Sequence, residues 1–241
     1  MADNYLNINP LLFSIPIMLF ILAFVLLLYN NYVRYVRTQQ KLKHRYLSNL
    51  EEERKRISRD LHDTISVFTI SIKSKIQKEI QISNIQKQDW IEQIINFERN
   101  ITDLNELLFP TEITHGNLYS ALERLSILLS NSGKQVTIYN QSKMDLPKAN
   151  IIHIYRILQE SIINVFKHTE NNQVILSMYE EDRTLKAVLS YQSNSAKLDY
   201  ENKLTRRGQQ ILNERLSIVK GTRILNWEEG IMFENFKFNK V

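Results

Sequence analysis

From Leu11 to Tyr29 the chain carries 19 residues without a charge, LLFSIPIMLFILAFVLLLY. As a helix rising about 1.5 Å per residue this run covers roughly 28 Å, close to the ~30 Å of a bilayer core. After it the pattern turns amphipathic. Residues 30–82 hold neither Gly nor Pro, and Leu47, Leu50, Ile57, Leu61, Phe68, Ile72 and Ile76 recur at three- and four-residue steps, with Arg54 at one seam position. That spacing predicts one long helix with a coiled-coil seam. A second helix is predicted over about Lys87–Phe109 from Ile91, Ile94, Ile101, Leu104 and Leu108, with Pro110 stopping it. The polar stretch at Ser83-Asn84 separates the two, so they read as a hairpin. A hairpin cannot bury both seams alone, and a homodimeric four-helix bundle is the expected solution.

Beyond residue 115 the periods alternate. Asn117–Ser132, Lys148–Lys167 and Gly208–Lys220 read as helices. Lys134–Asn140, Gln173–Tyr179, Thr184–Tyr191, Thr222–Trp227 and Ile231–Phe238 read as strands, the last two joined at Glu228-Glu229-Gly230. Four or five strands with three helices fit an α+β layer.

Composition narrows the possibilities. There is no Cys, which excludes disulfides, thiol chemistry and Cys-ligated zinc. Five Gly and four Pro exclude collagen-like and low-complexity classes. The net charge is +5, and the surplus is local: residues 30–62 hold nine Lys and Arg against four acids. A basic collar beside an apolar span suits an anionic lipid surface, and no direct nucleic-acid partner is expected. A cleaved signal peptide is disfavoured, because the first ten residues carry Asp3 and no Lys or Arg. Arg34, Arg37, Lys41, Lys43 and Arg45 follow the span, so residues 30–241 are expected in the cytoplasm of a single-pass protein of the cell membrane. About ten residues outside are too few for a sensor domain.

The segment Glu53-Arg54-Lys55-Arg56-Ile57-Ser58-Arg59-Asp60-Leu61-His62-Asp63 carries the chemistry. His62 falls beside the seam, at the solvent edge, next to Asp63. A carboxylate can hold one ring nitrogen while the other attacks. His44 and His115 read as ordinary surface residues, and His153, among Ile151, Ile152 and Ile154, as a structural one.

This segment resembles the phosphoacceptor helix of sensor histidine kinases in two-component systems, in the subgroup with E-R-x-R-I-[AS]-R-[DE]-L-H-D. The resemblance covers roughly residues 45–238. It implies that His62 receives phosphate and that Asp63 serves as its acid/base. The subgroup often has Gln five positions after the His; here that residue is Val67, which puts phosphatase activity in doubt.

Arg156-Ile157-Leu158-Gln159-Glu160-Ser161-Ile162-Ile163-Asn164-Val165-Phe166-Lys167-His168 is similar to the Asn-bearing helix of the family's ATP-binding domain, the Bergerat-type fold shared with gyrase and Hsp90 chaperones. Gly116-Asn117-Leu118 with Ala121-Leu122 is similar to the helix before it. The resemblance implies nucleotide binding through Glu160, Asn164, Lys167, His168 and Gly208, with Asn164 as a ligand of Mg2+ bound with ATP. Two glycine boxes depart from the family. Where it places D-x-G-x-G this chain reads Tyr191-Gln192-Ser193-Asn194-Ser195, and the second box reads Arg206-Arg207-Gly208-Gln209, with one Gly of two. Glycines there let backbone amides approach phosphate.

The expected organisation is a tail (1–10), a transmembrane helix (11–29), a basic juxtamembrane helix (30–45), a dimerisation and histidine phosphotransfer domain (46–110) and an ATP-binding-like domain (116–238). The expected function is a membrane-anchored, dimeric histidine kinase that autophosphorylates from ATP and passes phosphate to a response regulator. The alternative is a signalling scaffold that dimerises and docks a regulator without using ATP.

Overall fold

The computed structural model describes residues 11–78, 83–193 and 206–239. The chain divides into two units, 1–48 and 49–241. Helix α1, Leu11–Lys78, contains Pro16 within its second turn. In the first unit, every large apolar side chain from Ile17 to Leu28 is exposed, and the helix is long and apolar enough to cross a membrane.

In the second unit α1 pairs with α2, Asn84–Leu108. Lys73 and Glu98 form an ion pair at 3.0 Å across the hairpin. Helix α2 begins three residues before the periodicity suggested, because Ser83 and Gln86 form a capping box. The Ser83 hydroxyl accepts from the Gln86 amide and the Gln86 side chain accepts from the Ser83 amide. Two otherwise orphaned donors are satisfied, and the helix starts there. Phe109 caps the far end, ahead of Pro110. Ile57, Phe68 and Leu104 remain exposed, so the hairpin does not bury its own seam.

A four-residue helix, α3 (Thr111–Thr114), leads into α4 (Leu118–Ser130), whose N-cap Asn117 side chain accepts from the Ser120 amide at 2.9 Å. Then follow β1 (Gln135–Asn140), α5 (Lys148–His168), β2 (Gln173–Glu181), β3 (Thr184–Gln192), α6 (Arg206–Ile218), β4 (Gly221–Glu228) and β5 (Ile231–Asn239). The sheet order is β1-β2-β3-β5-β4. β1 and β2 are parallel, with α5 as the crossover, and all other pairs are antiparallel. Asp182-Arg183 and Glu229-Gly230 have positive φ at both turn residues, the geometry of tight hairpins that match strand twist.

Period-two alternation turns Leu185, Ala187, Leu189 and Tyr191 of β3 to the covered face. They pack with Met232, Phe236 and Phe238 of β5 against Leu122 and Leu125 of α4, Ile154 and Ile162 of α5, and Leu212 and Leu216 of α6. Each such aliphatic or aromatic side chain contributes about 1.5–3 kcal/mol on full burial. Gly221 is required where β4 leaves α6, since a Cβ there would lie 2.9 Å from the Lys237 carbonyl oxygen. The chain thus has one long apolar N-terminal helix, a helical region and a C-terminal mixed α+β sheet domain.

Candidate functional site

His62 stands on the solvent face of α1. Its side chain is 67% exposed and that of Asp63 is 83% exposed. Ring Nδ1 lies 3.4 Å from Asp63 Oδ1, which leaves Nε2 open to solvent. One helical turn to either side, at i−4 and i+4, are Ser58 and Ser66, so small side chains flank the ring. Val67 is 70% exposed and offers no hydrogen-bonding group.

The second group of candidates lies on α5, whose two halves differ. From Ile151 to Gln159 the helix is buried almost all round, except for a half-buried Ile152. From Glu160 onward a polar stripe opens, with Glu160 and Lys167 exposed and Asn164 and His168 half-buried. Glu160 and Asn164 are four apart and share a face. Among the described residues the side chains of these four make no hydrogen bond or ion pair. A carboxylate and a carboxamide oxygen are hard donors that suit Mg2+. Among the described residues no three His, Asp or Glu side chains gather as a metal cage. An ion at Asn164 would therefore complete its shell with phosphate and water oxygens.

Gly208 is half-buried in the first turn of α6. Asn194 and Ser195, read as part of the first glycine box, lie outside the described residues, as do the side chains of Arg206 and Arg207. Tyr191 sits on the covered face of β3 and is 4% exposed, so an aromatic ring occupies the position where the resemblance places an acid. An acid does face the core one strand away. Glu234 of β5, opposite Leu189, is fully buried and paired with Arg223 at 2.9 Å.

The sequence reading missed a third group entirely. Glu51, Arg156 and Arg215 are each less than a tenth exposed and meet in one cluster. Glu51 Oε2 accepts from Arg156 Nε at 3.1 Å, and Glu51 Oε1 accepts from Arg215 Nη2 at 2.5 Å. Arg156 also donates to Gln159 Oε1 at 2.7 Å, to the Leu107 carbonyl at 3.3 Å and to the Leu108 carbonyl. Gln159 donates to the same Leu107 carbonyl at 3.0 Å. These carbonyls end α2, where orphaned acceptors and the negative helix pole favour a cation. Arg215 lies 3.2 Å from His153 Nδ1, which explains the buried histidine as a structural acceptor. Burial pushes the Glu51 carboxyl up, but Arg156 and Arg215 outweigh it and hold the group below the ordinary carboxylate range. Burial likewise pulls Arg156 down, against the pull of Glu51. Only the distance in sequence hid the cluster, since each member looks like a solvated charge.

A surface His–Asp pair on a long helix, followed by a mixed-sheet domain with an Asn-bearing helix, resembles the sensor histidine kinases, an enzyme class. Among the relatives, the sensor protein VraS of Staphylococcus saprophyticus is 25% identical over 164 residues, covering 64% of this chain and 46% of VraS. VraS of Staphylococcus aureus is 26% identical over the same length. The chain thus spans about half the length of the curated relatives it matches. No family model matches. Among solved structures, the blue-light activated histidine kinase of Erythrobacter litoralis aligns at TM-score 0.45 and 13% identity, covering 76% of this chain and 59% of that one. The histidine kinase AdeS of Acinetobacter baumannii aligns at TM-score 0.41 and 12% identity, covering 71% and 95%.

Proposed function

We propose that this protein is a membrane-anchored, homodimeric sensor histidine kinase that takes the γ-phosphoryl group of ATP onto His62 and passes it to an aspartate of a response regulator. The observation that carries the reading is His62 itself, two-thirds exposed with Asp63 against Nδ1 and small residues on either side. Asp63 fixes the ring tautomer and holds the Nδ1 proton, so the Nε2 lone pair is free to attack phosphorus. Such transfer depends chiefly on positioning and charge neutralisation. Asn164, with Glu160 beside it, would hold Mg2+, which when bound neutralises phosphate charge. Lys167 and His168 extend that polar stripe and supply further cationic or donor groups for phosphate.

Supporting the dimer, Ile57, Phe68 and Leu104 form an apolar face that one hairpin leaves uncovered. Residues 46–110 serve as the dimerisation and phosphotransfer domain and 116–238 as the nucleotide domain. The exposed apolar run of α1 spans the cell membrane, with the basic flank on the cytoplasmic side. The buried Tyr191 and the two departed glycine boxes favour weak nucleotide binding and stand on the side of an ATP-independent scaffold.

The test uses the full chain in lipid nanodiscs with labelled ATP and Mg2+. Label that survives alkali, is lost in acid and is absent from His62→Ala is expected. Persistent label in His62→Ala overturns the site. No label and no nucleotide binding at millimolar ATP selects the scaffold.

A further inference from the structure

Strand β1 ends at Asn140, and seven residues without regular structure, 141–147, carry the chain to α5. Three of their amides are satisfied close by. Gln141 donates to the Met178 carbonyl at 2.8 Å, Ser142 to Asn140 Oδ1 at 3.0 Å and Met144 to Ser142 Oγ at 3.1 Å. The segment then alternates: Met144 and Leu146 pack against the core, while Lys143 and Asp145 stay exposed. It walls a cleft of about 430 Å³, a size that suits a small ligand. The floor is Leu118, Ile151, Met178 and Leu185, each less than a tenth exposed. The start of α4 forms a second wall, close enough to α5 that a Cβ on Gly116 would lie 3.6 Å from the Ile151 and Lys148 side chains.

This cleft is not the nucleotide face. On α5, Ile151 and Asn164 are thirteen residues apart, about 20 Å of helix. On β3, Leu185 and Tyr191 are six residues apart, about 20 Å of strand. The two places lie at opposite ends of the sheet domain. The lining sets the ligand. An apolar floor and wall that include two flexible thioethers, Met144 and Met178, accept a ring or a short branched chain. The polar groups favour negative charge. Asn117 caps the Ser120 amide, so the amides of Leu118 and Tyr119 have no acceptor among the described residues. Lys143 and His115 line the cleft, Lys148 flanks it, and Asp145 is the single acid among the described lining residues.

We propose that this cleft binds a small amphiphilic anion, an apolar body with one carboxylate or phosphate head. The body covers Ile151, Met178 and Leu185, and the head meets Lys143 and the Leu118 and Tyr119 amides. The site stands whether or not His62 takes phosphate.

The test titrates phenyl phosphate and 4-phenylbutyrate, which carry the two heads, into the full chain in nanodiscs by calorimetry, with empty nanodiscs subtracted. At least one binds with a dissociation constant on the order of 0.1–1 mM, and the tighter one identifies the head. Inorganic phosphate lacks the body and phenethylammonium reverses the charge, and each binds at least about tenfold more weakly. Lys143→Glu, at an exposed position, weakens the tighter probe about tenfold. Met144→Trp, which fills the cleft, does the same, while Lys167→Gln on the nucleotide face changes nothing. Amide exchange confirms that each variant is folded. No binding of either probe at about 10 mM overturns the site. Binding lost in Lys167→Gln and kept in Lys143→Glu puts the anions on the nucleotide face and overturns it too. Tighter binding of phenethylammonium overturns the ligand class, and equal binding of inorganic phosphate overturns the role of the apolar floor.

Discussion

Two acids on α1, Glu51 and Asp63, differ in almost everything but their charge. Glu51 is 8% exposed and tied to residues 105 and 164 positions away. Asp63 is 83% exposed and touches its sequence neighbour. Glu51 is architecture: its value lies in the charges that would be stranded without it. Asp63 is solvated: its loss strands no buried charge, because water replaces it. One helix thus carries a buried acid that ties α1 to α5 and α6 and an exposed acid that, on the proposed reading, tunes a nucleophile.

The sharpest way to break this contrast is to remove each acid's function and read both stability and rate. Asp63→Asn should lower the initial rate of His62 phosphorylation by about 10²–10⁴-fold, the usual worth of a positioned acid or base. Its denaturant midpoint should stay within about 0.5 kcal/mol of the parent, as for other surface changes. A large stability loss would put Asp63 in the architecture.

Arg156→Ala probes the other side. It leaves Glu51 with Arg215 and the longer Arg54 contact at 3.5 Å, strips the Leu108 carbonyl of its donor and leaves the Leu107 carbonyl with Gln159. Docking should weaken by about 3–5 kcal/mol. The readout is faster amide exchange over 49–56 and 105–109, with the sheet protected as before. Exchange unchanged there would reduce the cluster to a surface pair.

A smaller effect comes from acid. The Glu51 carboxyl is depressed below its ordinary 4.5. Its contribution is therefore complete above that value and is lost as pH falls through the lower folded value. Amide protection over 49–56 and 105–109 should hold from neutrality to about pH 4.5 and fall below it. Glu51→Gln should lack that step. A step near neutrality would implicate a different group.

Much of this contrast could be read from sequence on one side only. The His62 segment is local, eleven consecutive residues whose spacing sets a helix face, and the helices and strands around it followed from periods of 3.6 and 2. Where boundaries moved, a local cause did it: Ser83 and Gln86 cap α2 early, and α3 is too short to show any period. The Glu51 cluster was illegible for a physical reason. Glu51 sits in a run of three acids, Arg215 on a polar helix, and nothing nearby in sequence marks either as buried. Arg156 and Gln159 belong to a helix pattern in which they resemble solvent-facing residues, yet they close the end of α2. Tyr191 showed only as a missing acid, and its burial in the sheet core emerged with the register of β3.

The sheet topology also sets an order of assembly. β2–β3 and β4–β5 each close across two residues with positive φ, so their pairing involves little loop entropy. The β3–β5 pairing must bring together strands separated by everything from residue 193 to residue 230, α6 included. Contacts that distant in sequence form late in folding. The two hairpins are therefore local pieces, whereas the β3–β5 seam at Leu189 and Glu234, like the β1–β2 pairing across α5, joins segments distant in sequence.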